Sequence, residues 1–376
     1  MSRPSIPDKT ITRLWVLAGG RCEYEGCNRI LWRDDLTLTD MNTAYVAHVV
    51  AAEPNGPRGD PDLSPKLATD ISNLLLMCDA HHRLIDREDV LGHTVGRLTA
   101  MKKSHETRIE LLTALDSDYK SHILFYGANI GEKATRVSWE LACEAMIPRR
   151  YPAEKPAIEL SLSNSAYEDD ENGYWGIESE NLRRQFETRV RQRLTTGEIH
   201  HLSVFAFAPQ PLLIELGRLL SDIPMADVYQ LHREPANWAW QDHPEGFEYI
   251  IHEPPKPASN AALVLSLSAT IEDARILEVL GNDTAIWRIS APTPNNDFLK
   301  STHQLRQFRE IGRRLFDLIK MTHREKSVIH VFPAAPVSVA IEIGRVWMPK
   351  ADLPLRVYDQ NRKRGGFVKA IDFSAH

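Results

Sequence analysis

No apolar run in the 376 residues approaches the ~18 that a membrane-spanning helix needs, so a membrane protein is not expected. No apolar segment follows Met1-Ser2-Arg3-Pro4, which argues against a secretory leader and places the chain in the cytoplasm. Cysteine is scarce, with four residues, too few for a disulfide framework in a chain of this length. Basic charge is not in excess either: the formal net charge is -6, and residues 1–120 carry 15 Lys+Arg against 18 Asp+Glu. A single copy is therefore expected to hold nucleic acid weakly, because phosphate neutralisation supplies most non-specific affinity. There is no P-loop: Gly127-Ala128-Asn129-Ile130-Gly131-Glu132-Lys133 has the wrong glycine spacing, and no Ser or Thr follows the lysine.

What remains is the composition of an ordinary globular protein, 43% hydrophobic and 26% charged, long enough for two or three domains at roughly 150 residues each. Three of the four cysteines fall in the first 78 residues. Cys22-x4-Cys27 and Cys78-x2-His81 are two pairs, each able to grip one ion from a tight turn, and together they suit a tetrahedral structural zinc. Cys143, beside Leu141 and Met146, reads as a core residue.

Around these pairs the pattern predicts a helix from Ile11 to Ala18, a strand from Ala44 to Ala52 and a turn at Pro54–Gly59. A second strand follows from Ile71 to Met77, then a helix from Ala80 with Asp79 as N-cap. A surface helix from Leu98 to Leu115 closes the domain, assigned to residues 1–115. The order strand, strand, helix, with His48 on the first strand, Asn73 before the second and His82 at the helix start, resembles the HNH endonuclease family and its ββα-metal fold over about residues 15–110.

The residue types suit phosphodiester hydrolysis, which needs a base to activate water and an electrophile to stabilise the phosphorane and the leaving oxygen. His48 is the natural base, being neutral near pH 7. His82 and Asp86 lie four residues apart on one helix face and can hold a divalent ion such as Mg2+. His81 lies about 100° further round the helix, so the adjacent histidines read as serving two metals. Asn73 is expected to orient the base strand through its amide. Many members of the family carry Asp or His directly before the base histidine; here Ala47 stands there, which shifts weight onto Asp86.

Residues 116–150 read as a connector, with a short strand and a helix within 121–150, and 151–376 alternate strands and helices in α/β fashion. Ser203–Arg218 and His330–Arg345 align without a gap and share eight of sixteen residues, an internal repeat predicting two duplicated α/β units at about 157–285 and 286–376 with a ligand between them. The candidate ligand residues in the first copy are Pro209, Gln210, Tyr229, Arg233, Trp238 and Trp240; in the second they are Pro336, Ser338, Tyr358, Arg362 and Arg364. The prolines start helices after strands, where backbone N–H groups favour anions, the aromatics can face a base, and the arginines offer charge. For any one of these, turn formation, core packing or a solvated loop is the commoner role.

The segments Phe205–Leu213, Val228–Pro235 and Val331–Pro336 make the region 150–376 resemble the SAVED domain, the cyclic-oligonucleotide sensor of bacterial CBASS anti-phage systems, itself a fusion of two CARF-like, Rossmann-like units. The two resemblances together imply an α+β nuclease domain followed by an α/β sensor. A cyclic dinucleotide or trinucleotide would bind the sensor and drive homo-oligomerisation, licensing double-stranded DNA cleavage in abortive infection. Assembly would supply by avidity the DNA affinity that one acidic copy lacks. Two other readings compete: a restriction-like HNH enzyme whose C-terminal half reads DNA, and a non-catalytic zinc DNA-binding regulator.

Overall fold

The computed structural model describes residues 5–114, 117–128, 138–160, 171, 173–221, 225–323, 327–361 and 365–374. The chain divides into two compact units, Met1–Ser117 and Asp118–His376. Among the described residues no helix is long and apolar enough to cross a membrane.

Unit 1 runs α1 (Asp8–Leu17), β1 (Ala44–His48), α2 (Leu63–Leu67), β2 (Leu74–Cys78), α3 (Asp79–Arg83), a π-helical turn (Leu84–Glu88) and α4 (Val95–Thr113). β1 and β2 pair antiparallel, with His48 opposite Leu74 and Ala44 opposite Cys78. All five residues of β2 are buried, and its leucines pack with Leu14, Leu31, Ala47, Ile85 and Leu98. The first strand is shorter than the sequence pattern implies. The N–H groups of Val49 and Val50 are taken by the backbone oxygen and the side-chain oxygen of Asn73, at 2.9 and 2.8 Å, which ends the ladder. Ile71–Asn73 is a 3-10 turn capped by the Asp70 carboxylate, so β2 begins at Leu74. Cys78, not Asp79, occupies the N-cap of α3; Asp79 is the first helical residue and pairs instead with Arg83.

Unit 2 holds two sheets. The first comprises β3 (Lys120–Gly127), β4 (Tyr151–Pro152), β5 (Ile158–Glu159), β6 (Leu202–Phe207) and β7 (Ala226–Val228), all pairings parallel, in the order β4-β3-β6-β7 with β5 also on β3. Its helices are α5 (Trp139–Met146), α6 (Tyr174–Phe186), α7 (Gln192–Thr195) and α8 (Gln210–Leu220). The second sheet is built from β8 (Ile250–His252), β9 (Asn260–Ser266), β10 (Thr284–Ser290), β11 (Ile329–Ala334), β12 (Leu355–Asn361) and β13 (Gly366–Phe373) in the order β13-β12-β11-β9-β10-β8. Its inner pairings are parallel and its two edge strands antiparallel. The helices beside it are α9 (Asp273–Leu280), α10 (Thr302–Thr322) and α11 (Val337–Val346).

This division differs from the sequence expectation at two places. Residues 120–127, where a short strand was expected within a connector, form β3, which is hydrogen-bonded to β6 over six register positions and so belongs to the sheet of unit 2. β9 and β10, at 260–266 and 284–290, belong to the second sheet, so the halves of the repeat part between β7 and β8 and not near residue 285.

The repeat itself builds the join between the halves. α8 and α11 pack against each other at Gly217 and Gly344, which are equivalent in the repeat. A Cβ on Gly217 would stand 1.9 Å from the Ile341 carbonyl oxygen, and one on Gly344 would stand 2.0 Å from that of Ile214. Only glycine permits such an approach of two backbones. Phe205 and its counterpart Phe332 stack on Tyr229 and Tyr358, each with ring centroids 4.4 Å apart.

Candidate functional site

Unit 1 holds two polar centres on the frame of β1, β2 and α3. The first is the cysteine cluster. The ligand atoms of Cys22, Cys27, Cys78 and His81 all lie within 4.8 Å of one another. His81 Nδ1 is 3.2 Å from the Cys78 sulfur and 3.7 Å from that of Cys22. Four ligands at ~2.3 Å from one tetrahedral ion stand about 3.8 Å apart, so three thiols and an imidazole so grouped fit a metal ion. Burial, and then the neighbouring thiols, push the Cys22 thiol well above the usual range, an arrangement that a bound cation would reverse. Tyr24 stacks flat on the His81 ring at 4.1 Å, and its hydroxyl meets His93 Nε2 at 3.0 Å, which fixes the imidazole in place.

The second centre gathers His48, Asn73, His82 and Asp86. His48, at the end of β1, is 5% exposed, and its Nε2 donates to the Ala68 carbonyl at 3.0 Å. A neutral imidazole so bonded carries its lone pair on Nδ1. Asn73 bridges backbone on both sides: its amide oxygen accepts from Val50 N–H, and its NH2 donates to the carbonyls of Val50 and Leu67, at 2.9 and 3.1 Å. His82 Nε2 and Asp86 Oδ2 face each other at 3.4 Å across the junction of α3 with the π turn, each about a quarter exposed. Neighbouring ligands of an octahedral Mg2+ stand about 3.0 Å apart at its ~2.1 Å bond length, so this pair fits such an ion with room for water. Tyr45 stacks on the His82 ring at 5.1 Å. The adjacent histidines thus point to different partners, His81 to the thiols and His82 to Asp86. A pocket of about 210 Å3 lined by His48, Ala51, Glu53, Pro57 and Asp86 opens at this centre.

One residue of this centre escaped sequence reasoning. Arg58, within the turn expected at Pro54–Gly59, donates to the carbonyls of Val49, Ile85 and His48 and to Asp86 Oδ1. Nothing in its local sequence signals this, because every partner is at least nine residues away.

In unit 2 the candidate ligand residues are scattered. Tyr229, Trp238 and Tyr358 are packed in the core, each 6% exposed or less, with Trp238 edge-on to Phe205. Pro209 and Pro336 are the buried N-caps of α8 and α11, and Gln210 and Ser338 link the two copies. Gln210 Oε1 accepts from Ala335 N–H at 3.1 Å, and the Ser338 hydroxyl donates to Gln230 Oε1 at 2.9 Å. Arg233 is exposed. Arg362 and Arg364 lie outside the described residues. A cavity of about 270 Å3 brings Tyr229 and Trp240 together with Arg149, Arg306, Arg309 and Glu342. Arg149 stood in the stretch read as a connector, and the sequence reading singled out neither Arg306 nor Arg309.

A family model described as the SMODS-associated and fused to various effectors sensor domain, SAVED, matches residues 182–373. No curated protein matches the chain. Among solved structures, the Acinetobacter baumannii Cap4 SAVED/CARF-domain containing receptor with the cyclic trinucleotide 2'3'3'-cAAA is similar at 12% identity and a TM-score of 0.44, over 78% of this chain and 66% of that one. The same receptor with 3'3'3'-cAAA gives 14% identity and a TM-score of 0.43 over 78% and 66%. The Moraxella osloensis Cap4 receptor gives 12% and 0.40 over 82% and 66%. The chain therefore spans about two thirds of the length of these receptors.

Proposed function

We propose that this chain, which belongs to the SAVED family, is a nuclease gated by a cyclic oligonucleotide, in which unit 2 senses the messenger and unit 1 is an HNH-type endonuclease that cuts double-stranded DNA. The observation that carries the nuclease half is that His48 and Asp86 line one pocket, Asp86 faces His82 at 3.4 Å and Asn73 holds the backbone after His48, all on one strand-strand-helix frame that also carries the Cys22, Cys27, Cys78 and His81 cluster. The sensor half rests on the family, whose members are described as sensors fused to various effectors.

Each residue has a defined task in this reading. Cys22, Cys27, Cys78 and His81 hold a structural Zn2+, the ion that three thiolates and an imidazole suit best. His82 and Asp86 would hold a catalytic divalent ion, Mg2+ or a close substitute, which would supply positive charge to the reacting phosphate and the leaving 3′ oxygen. His48, kept in the tautomer with its lone pair on Nδ1 by the Ala68 carbonyl, takes the proton of the attacking water. Asn73 holds the end of β1 so that this imidazole does not wander, and Tyr45 sets the plane of His82.

The overall charge of -6 fits a nuclease that is idle as a single copy. Messenger binding to unit 2 gathers several chains, and each added unit 1 raises the local concentration of sites on the duplex. The test is a screen of cyclic di- and trinucleotides for activation of plasmid degradation in Mg2+. Activation by one of them, with loss in His48→Ala, supports the proposal. Cleavage that follows DNA modification and ignores every nucleotide favours a restriction-like enzyme instead.

A further inference from the structure

Arg58 occupies an unusual place for an arginine. Its side chain is 7% exposed, and its backbone sits at a φ of 58°, the left-handed region that a residue other than glycine adopts at a cost of about 1 kcal/mol or more. The next residue, Gly59, has no room for a Cβ, which would stand 2.3 Å from the Pro54 carbonyl oxygen. The turn is therefore wound tightly for a purpose that its own sequence does not explain. What the winding achieves is visible at the guanidinium. Nε donates to the Val49 carbonyl at 2.8 Å and Nη1 to that of Ile85 at 2.6 Å. Nη2 donates both to the His48 carbonyl at 3.1 Å and to Asp86 Oδ1 at 2.6 Å.

We propose that Arg58 is a positioning residue of the nuclease site. It occupies one oxygen of Asp86, turns Oδ2 toward His82, and fastens the turn that carries Asp86 to the strand end that carries His48, so that base and ion ligands stand as one rigid set. The proposal rests on the nuclease reading of unit 1. The planar fork of arginine is required, since it reaches four acceptors on two separate segments, whereas a lysine ammonium is a compact point charge without that geometry. Charge alone does not explain the residue, because a guanidinium beside a cation site repels the ion that the site is to hold. Its contribution is therefore geometric.

Arg58→Lys isolates that contribution: the positive charge stays and the fork goes. Partners that orient metal ligands from behind typically contribute 10–100-fold to metal affinity or activity. The experiment uses the full-length chain and reads Mn2+ binding by electron paramagnetic resonance, zinc content, and plasmid cleavage in Mg2+ with each of a panel of cyclic di- and trinucleotides. R58K is expected to keep one zinc per chain, to bind Mn2+ about 10-fold more weakly, and to cleave more slowly with its KM for DNA unchanged. Gly59→Ala, which keeps the guanidinium but displaces its backbone, is expected to weaken Mn2+ binding in the same direction. Mn2+ affinity within twofold of wild type in both variants overturns the proposal. So does a loss confined to KM for DNA, which would make Arg58 a phosphate contact, and so does loss of zinc from both variants, which would make it a residue of the fold alone. A wild-type chain that neither binds Mn2+ nor cleaves overturns the nuclease reading itself, an outcome distinct from any of these.

Discussion

Substituting Gly217 by alanine places a methyl carbon 1.9 Å from the Ile341 carbonyl oxygen and 2.8 Å from the carbonyl carbon. Non-bonded carbon atoms settle at about 3.5–4 Å, so α8 and α11 must separate by roughly 1 Å or more. The loss spreads over the facing side chains, because Leu212, Leu213, Leu216, Val339, Ala340 and Ile343 are all fully or almost fully buried. Overpacking of this kind costs about 1–3 kcal/mol, and parting the helices forfeits a quarter to a half of each dispersion contact it opens. Alanine returns at most about 1 kcal/mol in helix propensity. The net expectation for G217A is a loss of about 1–2 kcal/mol, or roughly 2–8 °C in melting temperature for a unit of this size. G344A should cost a similar amount. The double variant should cost clearly less than the sum, since helices already parted by one methyl accommodate the other. Gly176→Ala in α6, with nothing within 4 Å of its Cβ position, is the control and should stabilise by about 0.5–1 kcal/mol. The assay is calorimetry of the full chain. If G217A melts with wild type while G176A gains, the close crossing of α8 and α11 does not join the halves of the repeat in solution.

Two further outcomes are expected of the fold and its metal. One zinc per chain should be found by metal analysis; Cys78→Ser or a strong chelator should remove a contribution on the order of 10 kcal/mol and leave unit 1 open to proteolysis, and a metal-free chain that resists protease equally well would refute this. His330 is pushed down to about 4 by burial and then by Arg356, so the unfolded chain takes up a proton near pH 6.5 that the folded chain refuses until about pH 4. Its contribution is complete above pH 6.5 and falls away by up to about 3 kcal/mol as the pH drops toward 4. His330→Gln should melt with a flatter pH dependence over that window, and a curve parallel to wild type would contradict it.

How far the sequence could be read depended on whether a signal was local. The Cys22, Cys27, Cys78 and His81 spacing was legible because each pair sits within one turn of backbone, and the four ligand atoms do converge. The eight shared residues of the repeat pointed to duplicated units, and the glycine and arginine among them fall on α8 and α11, where the copies touch. Hydrogen bonds between distant segments were not legible. Asn73 ends β1 by taking the N–H groups of Val49 and Val50, so a strand drawn to Ala52 by its apolar pattern stops at His48. Arg58 looked like one residue of a polar turn, yet it reaches Ile85 and Asp86, 27 and 28 residues on. Core packing was the commoner role expected of Trp238, and it is buried; what was not legible is what covers it, since Phe205 and the α5 side of the sheet come from elsewhere in the chain.

The proposed function is that a cyclic oligonucleotide switches on a DNA-cutting site built around His48. It is tested most directly by following plasmid DNA in Mg2+ with the full-length chain, with and without each cyclic di- and trinucleotide, beside the His48→Ala chain. The expected result is intact plasmid without nucleotide, degradation with one of them, and no degradation by His48→Ala even though it retains its zinc. Equal cleavage with and without nucleotide, or cleavage at the wild-type rate by His48→Ala, would contradict the account.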